Sequence, residues 1–214
     1  MEIAVEPVAL ALVEFSSIAA GMHAGDAMAK RAPIARLVAG TVHPGKYLVL
    51  ISGAVADVEE SLKAGRDAGA SHVIDFVFLP QVHPSVVTAI AASATPGGED
   101  ERARAAAGPS LGIVETSTVA AAIHAADAGV KGAEVSLLEV RLADGLDGKG
   151  LVLYTGEVRD VQAAVDIGAR AIDSSLIVNQ IVIPQLHGEM GANIVARTRF
   201  GANVGEGWSG LGDE

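Results

Sequence analysis

Leu10–Phe15 (LALVEF) is a short, nearly continuous apolar run that reads as a strand, and Ser16 and Ser17 behind it are good helix N-caps. From Ile18 to Lys30 the apolar positions move to helical spacing. Ile18, Gly21, Met22, Gly25 and Ala29 share one face, and Ala19, His23, Asp26 and Lys30 share another. Small residues on the first face predict a helix lying close against a sheet. Ala35–Val42 then reads as a strand, His43–Lys46 as a loop and Tyr47–Ser52 as the returning strand. Val55–Ala68 has the pattern of a second helix, Val73–Leu79 of a last strand and Ser85–Ala92 of a short trailing helix. The order β-α-β-β-α-β predicts an α+β, ferredoxin-like unit.

The same pattern is then written again. Residues 10–30 return as 111–131 (LGIVETSTVAAAIHAADAGVK), so Glu14, His23, Asp26 and Lys30 are matched by Glu115, His124, Asp127 and Lys131. GKYLVLISGAVADV (45–58) is answered by GKGLVLYTGEVRDV (148–161), and LPQVH (79–83) by IPQLH (183–187). The offset grows from 101 to 103 and 104, so the second copy holds a few extra residues. The predicted organisation is one domain over 1–94, a linker over 95–109, a second domain over 110–196 and a flexible tail over 197–214. The linker TPGGEDERARAAAGP is rich in Pro, Gly and charge, and the tail is Gly-rich without periodicity. Trp208 is either a loose tail residue or the anchor of a peptide that docks on another subunit or a cargo protein.

Composition narrows the function. Hydrophobic residues make up 50% and charged residues 19% of the chain, which excludes a disordered protein. With only 3% aromatics the core must be aliphatic, and so much apolar material leaves room for a large subunit interface. A formal charge of −11, with no basic cluster, argues against nucleic acid as a partner. There is no cysteine, hence no disulfide, thiolate metal site or cysteine nucleophile. Glu2 and Glu6 stand where a signal peptide needs basic residues, and no apolar run approaches the ~18 residues of a membrane span, so a cytoplasmic protein is expected.

The chemistry-bearing positions give no catalytic constellation. Gly40-Thr-Val-His-Pro-Gly45-Lys46 fits half of a phosphate-binding loop, but Tyr47 follows where Ser or Thr is needed, and a strand follows instead of a helix. Pro44 also removes an amide donor, and the second copy has Ala143 at the first glycine. Gly45-Lys46 and Gly148-Lys149 read better as turn residues between adjacent strands. The residues before them diverge sharply, Val42-His43-Pro44 against Asp144-Gly145-Leu146-Asp147, and duplicated scaffolds tend to carry function in their loops. His23/Asp26 and His124/Asp127, three apart on a helix, read as surface or interface ion pairs. His83 and His187 read as end-of-strand packing or hydrogen-bonding groups, and Glu14 and Glu115 as acceptors for nearby backbone.

With the repeats aligned, the chain resembles the tandem-domain, trimeric bacterial microcompartment shell proteins of the non-permuted, propanediol-utilisation type. The resemblance rests on Val13-Glu14, Ser17-Ile18-Ala19, Gly25-Asp26-Ala27-Met28, Lys30, Pro44-Gly45-Lys46-Tyr47, Gly53, Val55, Val58 and Leu79-Pro80. In the second copy it rests on Ile113-Val114-Glu115-Thr116, Ala125-Ala126-Asp127, Lys131, Gly148-Lys149 and Gly156-Glu157-Val158. It implies a homotrimeric, pseudohexameric tile that packs side by side with shell hexamers and other shell proteins. Its central pore would pass small metabolites. The pore-lining loops would be Val42, His43, Pro44, Gly45 and Lys46 in one copy and Ala143, Asp144, Gly145, Leu146, Asp147, Gly148 and Lys149 in the other. Lys30 and Lys131 fall on the family's tile-edge lysine. Some relatives hold an iron–sulfur cluster through a cysteine just before Pro-Gly-Lys. Here that position is His43, so a cysteine-ligated cluster is excluded and no cofactor is expected. Three His43 rings would offer a divalent metal or an anion a site, against the simpler reading of a polar ring with no ligand. Two competing readings are a ferredoxin-like trimeric regulator that binds a small effector between subunits, and an enzyme on the duplicated fold.

Overall fold

In the computed structural model, described over residues 9–94 and 110–196, each copy forms a four-stranded antiparallel sheet with two helices on one face. The first copy runs β1 (Ala9–Phe15), α1 (Ile18–Arg31), β2 (Arg36–Val42), β3 (Lys46–Gly53), α2 (Val55–Gly69), β4 (Val73–Leu79) and α3 (Pro84–Ala94). The second runs β5 (Ser110–Thr116), α4 (Val119–Gly132), β6 (Ser136–Leu142), β7 (Gly150–Gly156), α5 (Val158–Arg170), β8 (Ile177–Ile183) and α6 (Gly188–Ala196). The strand orders, β2-β3-β1-β4 and β6-β7-β5-β8, are the ferredoxin-like arrangement expected from the sequence. The expected linker and tail lie outside the described residues.

Local chemistry explains the elements. Ser17 and Thr118 cap α1 and α4, each hydroxyl accepting from the amide three residues on, Ala20 and Ala121, at 3.3 Å. Val13, Val49, Ala24, Met28 and Phe15 form the first core between sheet and helices. Where α1 and α4 cross the sheet the two copies divide the same space differently. A Cβ on Gly21 would come within 2.5 Å of the Tyr47 ring, whereas in the second copy a Cβ on Gly150 would come within 2.3 Å of Ala122. One copy has Gly on the helix and Tyr on the strand; the other has Ala on the helix and Gly on the strand.

One sequence expectation needs correction. The buried side of α1 is Gly21, Ala24, Gly25 and Met28, while Ile18 (39% exposed) and Met22 (56% exposed) face outward. Their equivalents Val119 and Ile123 are fully buried. What covers them is the first domain: Leu10, Leu12, Val77, Leu79, Val82 and Val86 join Val119, Ala120, Ile123 and Val140 in a single core cluster. The apolar stripe of this helix therefore has two clients, its own sheet and the neighbouring domain.

Candidate functional site

The two divergent loops meet at one end of the seam between the domains. The β2–β3 connection is short, with a cis His43–Pro44 bond and Gly45 at φ 111° closing the turn, its amide donating to the Val42 carbonyl at 2.9 Å. The β6–β7 connection is longer and more contorted, with Ala143, Gly145, Asp147 and Gly148 all at positive φ (59°, 70°, 54° and 81°). Gly45 and Gly148 thus take the turn roles expected of them. Ala143 and Asp147 in the left-handed region are unusual, and sequence carries no sign of the first. Across the seam, His43 Nδ1 lies 3.5 Å from Asp147 Oδ1, both side chains largely exposed.

Both loop lysines are held by a glutamate on the neighbouring strand, and Lys46 also bridges to the other loop. Lys46 Nζ donates to Glu14 Oε2 at 3.2 Å and to the Gly148 carbonyl at 3.0 Å; Lys149 Nζ donates to Glu115 Oε1 at 2.7 Å. Glu14 is wholly buried and Lys46 16% exposed, whereas Glu115 and Lys149 are 32% and 43% exposed. Burial pushes the Glu14 carboxyl above its ordinary value, with the Ala120 amide and Lys46 pulling the other way. Hydrogen bonding to Glu115 raises the Lys149 ammonium. The loops are left with His43, Asp144 and Asp147 as their charged or titratable groups beyond these pairs.

Glu14 does more than accept from local backbone, as sequence suggested: its Oε1 accepts from the Ala120 amide in the first turn of α4, 2.8 Å away in the other domain. A carboxylate at a helix N-terminus meets both unpaired amides and the positive end of the helix dipole. Three further bonds follow the same seam. Thr118 Oγ1 donates to Asp75 Oδ2 at 2.5 Å, the His83 amide donates to Asp127 Oδ1 at 2.7 Å, and Lys131 Nζ donates to the Gln81 carbonyl. Lys131 also bonds Asp127 at 2.5 Å and Lys30 bonds Asp26 at 2.5 Å. The acid three residues after each helix histidine is therefore paired with the lysine four residues further on. His83 has the hydrogen-bonding role expected of it, its Nδ1 lying 2.8 Å from Ser85 Oγ.

Each half of this seam has an unused duplicate. On the first domain, Ser17, Ile18, Ala19, Met22, Asp26 and Lys30 repeat the α4 surface, and Val38 and Ala39 of β2 are exposed where their register equivalents in β6, Glu139 and Val140, are buried. On the second domain, Glu115, Asn179, Gln185 and His187 repeat Glu14, Asp75, Gln81 and His83. Among the described residues no group of three or more His, Asp or Glu side chains gathers to hold a metal. None of the described helices is long and apolar enough to cross a membrane.

Comparison with known proteins identifies the architecture. The profile of the BMC domain matches the chain twice, over residues 9–82 and 110–186. The bacterial microcompartment shell protein PduT of Citrobacter freundii is 37% identical over 188 residues, covering 87% of this chain and 97% of PduT. Shell protein PduA of the same organism is 44% identical over 80 residues, which is 36% of this chain and 82% of PduA. A crystal structure of a microcompartments protein from Desulfitobacterium hafniense DCB superposes with a TM-score of 0.72 at 41% identity, covering 86% of this chain and 98% of that one.

Proposed function

The chain belongs to the BMC-domain family as two BMC domains in tandem, and from that premise we propose that three copies close head to tail into a ring of six domains around a pore. The relatives are structural shell proteins and not enzymes, and the same role holds here: a building block of a bacterial microcompartment shell inside the cytoplasm. The reading of an effector-binding regulator has no support among them.

The observation that carries the ring is the seam with its two unused halves. A contact surface whose complement lies elsewhere on the same molecule makes a heterologous interface, which yields a closed ring if the rotation closes. Here the complement is a copy of a surface that already works inside the chain. In the ring, Glu115 meets the amide of Ala19 at the start of a neighbour's α1, Ser17 meets Asn179, the His187 amide meets Asp26, and Lys30 meets the Gln185 carbonyl. Burial of Ile18, Met22 and β2 follows. Lys30 and Lys131 keep their tile-edge role in this reading, and each also fastens a domain seam where it reaches the rim.

The pore is lined by the loops Val42–Lys46 and Ala143–Lys149 in alternation. With Lys46 and Lys149 committed to Glu14 and Glu115, the rim is set by His43, Asp144 and Asp147. An acidic constriction disfavours anions and passes neutral or cationic metabolites. The tile carries no cofactor in this reading. The test is co-expression with a shell hexamer, with the mass of the purified chain measured by light scattering. A trimer mass and closed shells or sheets containing the chain are expected; a monomer, or shells from which it is absent, would refute the assignment. Lys30→Ala is expected to keep the trimer mass and impair tiling under electron microscopy.

A further inference from the structure

A crevice of about 310 Å³ opens between the domains on the side of the first sheet away from α1 and α2. Leu12, Leu48, Leu50 and Ile90 wall it from the first domain, and Val140 and Leu142 from β6. Its existence depends on a difference between the copies. Gly40, paired with Leu48, leaves the floor open, with nothing within 4 Å of where a Cβ would stand. The equivalent position in the second sheet, paired with Leu151, is the nearly buried Arg141 and not Ala143 as the sequence offset suggested, because the β6–β7 loop holds the extra residues. The two copies therefore differ at this position, Gly in one sheet and Arg in the other, and Arg141 and Asp144 from β6 and its loop stand at the crevice's edge.

We propose that this crevice seats the C-terminal segment, residues 197–214, of the neighbouring copy in the ring, with Trp208 as its anchor. The inference rests on the ring described above. Three observations select this occupant. First, α3 lies along β6, with Ile90 in its C-terminal half beside residues 140–144. By the same relation a neighbour's α6, with Ile194 in place of Ile90, lies along β2 and delivers its C-terminus beside Ala39–Val42, the strand that borders the crevice. Secondly, Trp208 lies 12 positions beyond Ala196, a span of up to ~40 Å, ample to enter the crevice from there. Thirdly, the segment is Gly-rich but carries the chain's single Trp, whose large apolar body suits a hollow of this size.

Because Trp208 is the sole tryptophan, its fluorescence reports the seat directly. In the trimer the emission is expected to be blue-shifted and largely protected from acrylamide. Gly40→Leu fills the floor without backbone strain and is expected to return the emission to that of solvent-exposed indole while the mass stays trimeric. Exposed-type emission from a wild-type trimer would overturn the proposal and leave the crevice to some other occupant, such as a small apolar solute. Shielded emission that Gly40→Leu does not change would overturn it too, by placing Trp208 elsewhere. A monomeric mass is the separate failure of the ring itself, and with shielded emission it would replace docking between copies by docking within one chain.

Discussion

Replacing Glu14 by Ala tests the physical account of the seam most directly. The side chain is wholly buried and answers two groups at once, the Ala120 amide at 2.8 Å and the Lys46 ammonium at 3.2 Å. Ala leaves a buried amide at the start of α4 with no acceptor and strips Lys46 of its carboxylate. Removing one partner of a buried ion pair costs about 3–5 kcal/mol, because the remaining charge is left uncompensated. Lys46 keeps the Gly148 carbonyl and some solvent, which places the cost near the lower end, about 3 kcal/mol. For a chain of this size each 1 kcal/mol moves the midpoint by about 2–4 °C, so a fall of roughly 6–12 °C is expected. Thermal unfolding followed by circular dichroism, at a concentration where the chain is monomeric, measures it. The double variant Glu14→Ala, Lys46→Met removes the orphaned charge and should recover part of the loss. If Glu14→Ala melts with the wild type, or if the double variant melts lower than Glu14→Ala, the pair does not hold the domains in the way described.

The same pair sets a pH dependence. Burial raises the Glu14 carboxyl, so its stabilising contribution is greatest below the ordinary carboxylate value and falls as pH rises through the raised one; relative to Glu14→Gln, the wild type should gain stability on acidification through that window, as urea unfolding across pH will show. Glu115→Ala should act differently from Glu14→Ala, with little effect on the isolated chain and a concentration-dependent loss of trimer by light scattering, since its pair is half-exposed until a neighbour covers it. Gly129→Ala drives a Cβ to within 2.5 Å of the Tyr154 hydroxyl, which is fixed by donation to the Ala125 carbonyl at 2.7 Å; a loss of about 1–3 kcal/mol is expected in denaturant unfolding, and Tyr154→Phe in the same background should relieve part of it.

How far the sequence carried this picture depends on what each residue answers to. Strand and helix positions came through because their patterns answer to the residue's own sheet: Leu10–Phe15 and Ile18–Lys30 fall within β1 and α1, and Gly21 and Gly25 are buried where helical spacing put them. Ile18 and Met22 did not, since their apolar character answers to a surface that sequence order does not reveal. Glu14 was legible as an acceptor, but its partner lies 106 residues away, and nothing local to either residue announces the other. The divergent loops were legible as a difference between copies. The direction of Lys46 and Lys149 was not, because it depends on carboxylates on the neighbouring strand. Gly40 read as part of a false phosphate loop, while its place in the sheet makes it the floor of a crevice.

The exchange of bulk between helix and strand at Gly21/Tyr47 and Ala122/Gly150 has a bearing on the history of the chain. Two repeats in one gene are open to being homogenised by recombination, each overwriting the other. Here a crossover that joined the Ala-bearing helix to the Tyr-bearing strand would set a methyl into an aromatic ring, and the reciprocal product would leave Gly facing Gly across a void. Either hybrid starts with a packing fault in its core. Once the copies had traded that bulk, each became heritable only as a block, and the loops and faces they carry were free to drift apart without being averaged back together.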